Sequence, residues 1–377
     1  MNTLDKVTVL FLNVFLLVSC GNGSSHQYKD KKPLAKYTEF YPYQNGYATV
    51  AINKKYGFID KKGHNVVACR YSFVHKFYEG LAVVEIDEKY GVVDTTGKEI
   101  IPLKYDFIGG FEGREITLVK SGEKWGYIDK KGNEVIPVIY DQAHYFDDDL
   151  TTVRENNQWF ILDKKNNRKP LKYDIAEMSA FYEGLASFRI RKQSGKGYID
   201  KQGNIAIQPK YQDASYFENG LARVELDGKS GFINKRGEEV VPLLYEGYPH
   251  FREGLALVNI GSHWGFVDAN GKVVIPLKYS DLNSFYDGLA EIRIAGKYGC
   301  IDKKGAIVIP PTYDVMERGD DGIIGVMKNG KGYYIDYKEK RVFQEFYQDV
   351  FSFQDGVALV QQDNIWFFID RSGKRLF

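Results

Sequence analysis

WGFVDANGKVVIPLKYSDLNSFYDGLA, residues 264–290, is the stretch that decides the fold. Asp268-Ala269-Asn270-Gly271 stands between two apolar runs, Phe266-Val267 and Val273–Ile275. That arrangement signals a hairpin loop, a type I turn begun by Asp and closed by a residue at positive φ. Pro276 cannot donate to a ladder and reads as the end of the strand that follows the turn. Tyr279 comes next, a connection leads to Phe285, and Leu289-Ala290 opens another strand.

The same text recurs along the chain. Aspartates after an aromatic and Ile or Val stand at Asp60, Asp94, Asp129, Asp163, Asp200, Asp268, Asp302, Asp336 and Asp370, with Asn234 in register, at spacings of 34, 35, 34, 37, 34, 34, 34, 34 and 34 residues. Ten units at that regularity identify a repeat protein. Three residues after each marker the chain has Gly in eight units, Asn166 in one and Glu339 in another. Asn is the next-best residue in the left-handed region, whereas Glu339 fits poorly, so its turn is expected to differ. Three residues before the marker stand Gly57, Gly91, Gly126, Gly197, Gly231, Gly265 and Gly299, replaced by Phe160, Tyr333 and Phe367 elsewhere. A position that accepts Phe and Tyr cannot demand positive φ, so Gly there marks close approach of a neighbouring strand.

Each unit therefore reads as a three-stranded meander, such as 81–86, 90–93 and 99–101, followed by a connection of about a dozen residues. About 34 residues cannot bury a core alone, so neighbours must stack. With three strands per unit and ten units, where propeller blades have four strands and rings four to eight blades, the expected architecture is all-β: an open, curved β solenoid. A propeller-like ring is the alternative.

The elements Trp/Tyr-Gly-aromatic-Ile-Asp-x-x-Gly, Ile-Pro-x-x-Tyr-Asp and Phe-x-Glu-Gly-Leu-Ala, seen at Trp125–Gly132, Ile101–Asp106 and Phe77–Ala82, resemble the WG repeat family of bacterial proteins. The resemblance covers about 41–377 and implies a β-repeat array without a shared catalytic set. The stretches 109–118, 144–173 and 314–347 depart from the pattern.

Residues 1–20 differ from everything after them: Lys6, an apolar run from Val7 to Val18, then Ser19 and Cys20. The run is too short to span a bilayer comfortably and reads as a signal h-region. Leu17-Val18-Ser19-Cys20 resembles the bacterial lipobox, which implies lipidation at Cys20. Asp5 beside Lys6 weakens the usual positive start. Residues 21–36 are polar and read as a flexible tether, so the β-repeat domain is 37–377. The expected location is the bacterial cell envelope, at the outer membrane or cell surface, with membrane contact through the lipid alone.

Lys+Arg number 51 and Asp+Glu 50, a formal charge of +1, which excludes the single-sign field of a nucleic-acid binder. Aromatics are 15% of the chain, with 28 Tyr, 24 Phe and 38 Gly, the composition of strands joined by tight turns. Cys69 and Cys300 are far apart in strand-like text and suggest neither a disulfide framework nor a zinc site. The six histidines show no paired spacing, and the Gly195–Gly197 text lacks the rest of a phosphate loop. The marker aspartates repeat in equivalent settings, whereas an acid and a base need different ones, so they are read as turn formers. Asp147-Asp148-Asp149, with Asp141 and His144 nearby, offers the carboxylate oxygens that suit Ca²⁺ but reads as a solvated loop, because the run lacks alternating oxygen spacing.

No cofactor, metal or catalytic constellation is expected, and the chain is expected not to be an enzyme. The favoured function is a binding or scaffold protein acting on envelope or extracellular proteins through an extended repeat surface. Recognition of glycans by exposed aromatics is the second reading, with Trp125, Trp159, Trp264 and Trp366 as candidate residues. A hydrolase sited in the irregular stretches 144–173 or 314–347 is the third.

Overall fold

A computed structural model of the chain describes residues 37–319 and 322–376; the expected signal peptide, Cys20 and the tether lie outside them. Every regular element among the described residues is a strand, and the strands form ten small antiparallel sheets. Numbered along the chain, sheets 1 to 10 span 39–71, 73–105, 107–140, 142–170, 175–211, 213–245, 250–279, 289–313, 315–336 and 349–370. The described residues divide into two compact units, those up to Cys69 together with those from Thr312 onward, and Arg70–Pro311.

Sheet 2 shows how the repeat text becomes structure. Its four strands are Phe73–Val74, Leu81–Ile86, Lys89–Asp94 and Glu99–Tyr105, here called a, b, c and d. Strands b and c turn through Asp87 and Glu88, both at positive φ (51° and 61°), the two-residue hairpin whose twist matches its strands. Strands c and d are joined by Asp94–Gly97, where the Gly97 amide donates to the Asp94 carbonyl at 3.0 Å. The Asp94 carboxylate also accepts from the amides of Thr96 at 2.8 Å and Lys98 at 3.1 Å, the turn-forming role expected of the marker.

Three expectations about the unit need correction. Seven sheets are four-stranded, because a short first strand such as Phe73–Val74 lies in what the sequence presented as connection. Two residues carry too little periodicity to be read. Strand d also runs past the proline: Pro102 lies inside Glu99–Tyr105, in an edge strand whose pairing skips from Ile101 to Tyr105. A bulge on an edge tolerates a residue without an N–H. Finally, Glu339 does not change its turn: at φ 62° it donates its amide to the Asp336 carbonyl at 3.0 Å, as Gly97 does to Asp94. Its side chain has a use in that position, since Oε1 accepts a hydrogen bond from the Tyr313 hydroxyl at 2.8 Å.

The glycine three residues before the marker controls strand d. A Cβ at Gly265 would stand 2.5 Å from the Ile275 carbonyl oxygen, and one at Gly91 2.7 Å from that of Ile101. In all seven sheets that keep this Gly, strand d has seven residues. Where Phe160 takes the place, the outer strand shrinks to Arg168–Pro170. Sheets 9 and 10, with Tyr333 and Phe367, have no fourth strand among the described residues. Close approach of strands is thus what the glycine permits.

Within the first unit, sheet 1 packs on sheet 10: Tyr43, Val50 and Ile59 share one buried cluster with Leu359, Trp366 and Phe368. Contact of the first and last sheets is what a propeller requires and an open solenoid lacks. The fold is therefore the propeller-like alternative, built of ten sheets, and the solenoid expectation is corrected.

Candidate binding surface

Beside the marker aspartates, which cap their own turns, two further sets of recurrent acids join one sheet to the next. In the second unit the Glu183 carboxylate, in the Phe-Tyr-Glu-Gly turn before sheet 5's strand b, accepts the Gly220 amide at 3.0 Å and pairs with Lys235 at 3.0 Å, both from sheet 6. Burial alone would raise that carboxyl, but the Lys235 ammonium and the Gly220 amide hold it below the usual carboxylate range. Glu253 repeats the arrangement with Gly288 at 3.0 Å and Lys303 at 3.2 Å. In the first unit Asp355 of sheet 10 does the same to sheet 1, accepting the Gly46 amide at 2.7 Å while Lys61 donates to its carbonyl. The acids after the Ile-Pro-x-x-Tyr text form a second set of ties. Asp141 accepts from Lys124 at 2.6 Å and from the Asn156 amide at 2.7 Å, and Glu246 from Lys229 and the Gly261 amide, each at 3.1 Å.

The irregular stretch 144–173 is engaged in the same way. Lys201 holds Asp147 at 3.1 Å and Asp148 at 3.3 Å, and Lys164 holds Asp149 at 3.0 Å. His144 is half-buried, its ring stacked on Trp159 with centroids 5.6 Å apart. Thr152 Oγ1 lies 2.7 Å from His144 Nδ1 and donates its own proton to the Ser179 carbonyl at 2.8 Å. The imidazole must therefore donate from Nδ1. Burial pushes its pKa down to about 4, so the ring is neutral at physiological pH. Among the described residues no group of three or more His, Cys, Asp or Glu is placed to hold a metal ion.

The four candidate tryptophans do not form an exposed row. Trp159 (3% exposed) and Trp366 (9%) are core residues. Trp125 and Trp264 are half-buried, the first with its ring 5.5 Å from Phe107 and Lys120 over its face at 5.6 Å. Cys300 is buried and Cys69 half-buried, and the two are not joined in a disulfide.

What the second unit does present is tyrosine and arginine on one edge. Pairing of Leu81 with Asp94 places the Glu-Gly turn before strand b and the Asp-x-x-Gly turn after strand c at the same end of each sheet. Along that end stand Tyr78 (38% exposed), Tyr182 (41%) and the half-buried Tyr145 and Tyr216. The Arg114 guanidinium lies 4.5 Å over the Tyr145 ring, and the Tyr182 and Tyr216 rings are 4.5 Å apart, tilted by 32°. Burial pushes the Tyr145 phenol up to about 12, with Arg114 opposing and Tyr182 within electrostatic reach. In the equivalent connections of sheets 7 and 8, Arg252 covers Tyr286 at 4.8 Å and His250 Nε2 meets Ser284 Oγ at 2.9 Å. Sequence reasoning singled out the tryptophans as ligand-surface candidates and passed over these tyrosines. Their signal was alternation: if Phe77 and Phe181 point inward, Tyr78 and Tyr182 must point out.

The family model described as the WG containing repeat matches nine segments: 34–56, 56–90, 90–125, 125–159, 197–229, 231–262, 264–298, 298–331 and 334–366. No curated protein sequence matches the chain. Among solved structures, a eukaryotic initiation factor is similar at 12% identity over 87% of this chain and 99% of that one, with a TM-score of 0.54. That likeness concerns the fold alone. The dihydro-heme d1 dehydrogenase NirN in complex with DHE aligns at 12% identity, over 81% of this chain and 74% of that one, with a TM-score of 0.38. Kluyveromyces lactis Hsv2 aligns at 9% identity, over 59% and 94%, with a TM-score of 0.31.

Proposed function

The chain belongs to the WG containing repeat family, and from that premise we propose that it is a non-catalytic binding or scaffold protein of the bacterial cell envelope that engages other proteins through the tyrosine edge of its second unit. The observation that carries this reading is the division of labour among side chains. The recurrent acids tie sheets together, while Tyr78, Arg114, Tyr145, Tyr182 and Tyr216 stand on one edge across sheets 2 to 6. Tyr and Arg are the residues that most often dominate protein–protein contacts, since they bring large, stiff surfaces with polar tips. Lipidation at Cys20 would hold the molecule at the envelope by its N-terminal segment.

The full chain, used to capture proteins from envelope extracts, should retain partners that the Tyr182→Ala/Tyr216→Ala pair binds at least about tenfold more weakly. Leu244→Ser, at an exposed apolar site on sheet 6's outer strand, should bind as wild type does. Saturable turnover lost on replacing a single carboxylate would contradict the non-catalytic reading. Glycan binding lost with Tyr182→Ala, without protein capture, would favour a carbohydrate-binding role. For the anchor, Cys20→Ala should move the protein from the membrane to the soluble fraction.

A further inference from the structure

Two tyrosines of the second unit stand close enough to be joined. Tyr182 comes from the connection before sheet 5's strand b and Tyr216 from the corresponding connection of sheet 6, thirty-four residues later. Their ring centroids lie 4.5 Å apart and the ring planes are tilted by only 32°. Hydrogen bonds fix the backbone beneath both rings. Tyr182 exchanges two with Leu185, its amide donating at 2.9 Å and its carbonyl accepting at 3.1 Å. The Tyr216 carbonyl accepts from Ser215 Oγ at 3.0 Å, and the Ser215 amide donates to the Arg223 carbonyl at 2.9 Å. The Glu183 tie to the Gly220 amide and Lys235 holds the two sheets together beside the pair. Tyr182 is 41% exposed and Tyr216 half-buried, so reagents in solution reach them. Other tyrosines lack one of these properties. Tyr41 and Tyr56 lie 6.2 Å apart at 58°, and Tyr313 and Tyr333 6.4 Å apart at 66°. Tyr334 and Tyr347, 6.1 Å apart, are both buried. Tyr248 is 76% exposed, but what lies over its ring, at 4.4 Å, is the Arg223 guanidinium.

We propose that Tyr182 and Tyr216 form an oxidative cross-linking site, at which a one-electron oxidant joins the two phenol rings as dityrosine. Burial holds both phenols above their ordinary pKa, so both begin neutral, and each gives up its hydroxyl hydrogen as an electron and a proton. The two radicals couple through ring carbons beside the hydroxyls, forming one carbon–carbon bond. The hydrogen on each of those carbons then moves to its oxygen and restores the phenol. With hydrogen peroxide acting through a peroxidase, the two electrons and two protons reduce one peroxide to two waters, and the protein loses two hydrogen atoms in all. Free phenols meet such a partner only by diffusion. Here each ring is held beside the other, which raises its effective concentration there. The new bond closes a loop from 182 to 216 and joins sheets 5 and 6 covalently where Glu183 and Lys235 already join them by charge. This chemistry needs the pair's geometry alone and is independent of what the tyrosine edge binds.

The test treats the full chain, at low micromolar concentration, with a peroxidase and hydrogen peroxide. Dityrosine fluorescence is followed in the monomer and dimer bands of a denaturing gel, and tryptic peptides are weighed. Wild type should give a fluorescent monomer in which the peptide 173–189 is joined to 211–223, lighter than their sum by two hydrogen atoms. Fragmentation should place the bond at Tyr182 and Tyr216 rather than at Tyr173 or Tyr211, which the same peptides contain. The yield per molecule should hold on about tenfold dilution, because the reaction is intramolecular. Tyr182→Phe and Tyr216→Phe keep the ring packing but remove one phenol, and each should lose the cross-link. Tyr248→Phe removes a far more exposed phenol and should keep it. A joined peptide absent from the wild-type monomer, a bond at Tyr173 or Tyr211, or a yield that falls with dilution would overturn the proposal.

Discussion

Gly265 and Gly305, which hold different places in the repeat, have opposite tolerances. Gly265 is hemmed in by the backbone of its own sheet, with a Cβ placed 2.5 Å from the Ile275 carbonyl. Gly265→Ala should cost about 2–3 kcal/mol in urea unfolding, the penalty of forcing strand d away. Gly305, at φ 78°, has only ordinary contact near its Cβ, 3.5 Å from Ile275, and Asn166 already fills the equivalent place in sheet 4. Gly305→Asn should therefore cost under about 1 kcal/mol. His144 gives a pH signature at the same scale. Its folded pKa of about 4 lies below its ordinary value of 6.5, so the unfolded chain binds the proton more readily. The stability it confers is complete above pH 6.5 and is lost as pH falls from there towards 4. A melting curve that declines through this window in wild type and flattens in His144→Gln would verify the burial; equal slopes would contradict it.

At the scale of the element, two devices make a sheet out of 34-residue text: the marker turn and the tie to the next sheet. The Asp94, Asp163 and Asp370 carboxyls are held below the ordinary 3.8 by hydrogen bonds from side chains and amides in their own turns. A depressed folded pKa means stability present above 3.8 and lost as pH falls below it, so acid unfolding should steepen there once His144 has titrated. For the tie, Glu183→Ala removes the acceptor of the Gly220 amide and Lys235 and should cost about 1 kcal/mol, seen as a lower urea midpoint at unchanged slope. Asp355→Ala should cost a similar amount because it removes an equivalent contact, between sheets 10 and 1.

For the whole molecule, the contact of sheet 1 with sheet 10 is the decisive feature. Tyr37 lies in the cluster those sheets share, and Leu376 packs against the same cluster, so the two ends of the described chain meet in the first unit. A circular permutant joining 376 to 37 through a short Gly/Ser linker, with new termini at the exposed Gly261-Ser262 hairpin, should fold with the wild-type circular dichroism spectrum. Its melting temperature should be within a few degrees of wild type. An open array could not be joined in this way, so a permutant that aggregates or loses its cooperative transition would count against the propeller-like closure.

The sequence by itself determined the repeat, its period, the hairpin turns and the close approach marked by glycine. Each of these follows from residues near one another in the chain: Asp at a turn's start, Gly at positive φ, alternation along a strand. It also contained the tyrosine edge, legible in the alternation of Phe181 and Tyr182 had that been pursued. Only the tertiary structure decided that sheet 10 meets sheet 1. That contact joins Gly46 to Asp355, 309 residues apart, and local pattern has no term for it. It likewise decided that Trp159 and Trp366 are core residues, because burial depends on what a neighbouring sheet brings to the joint.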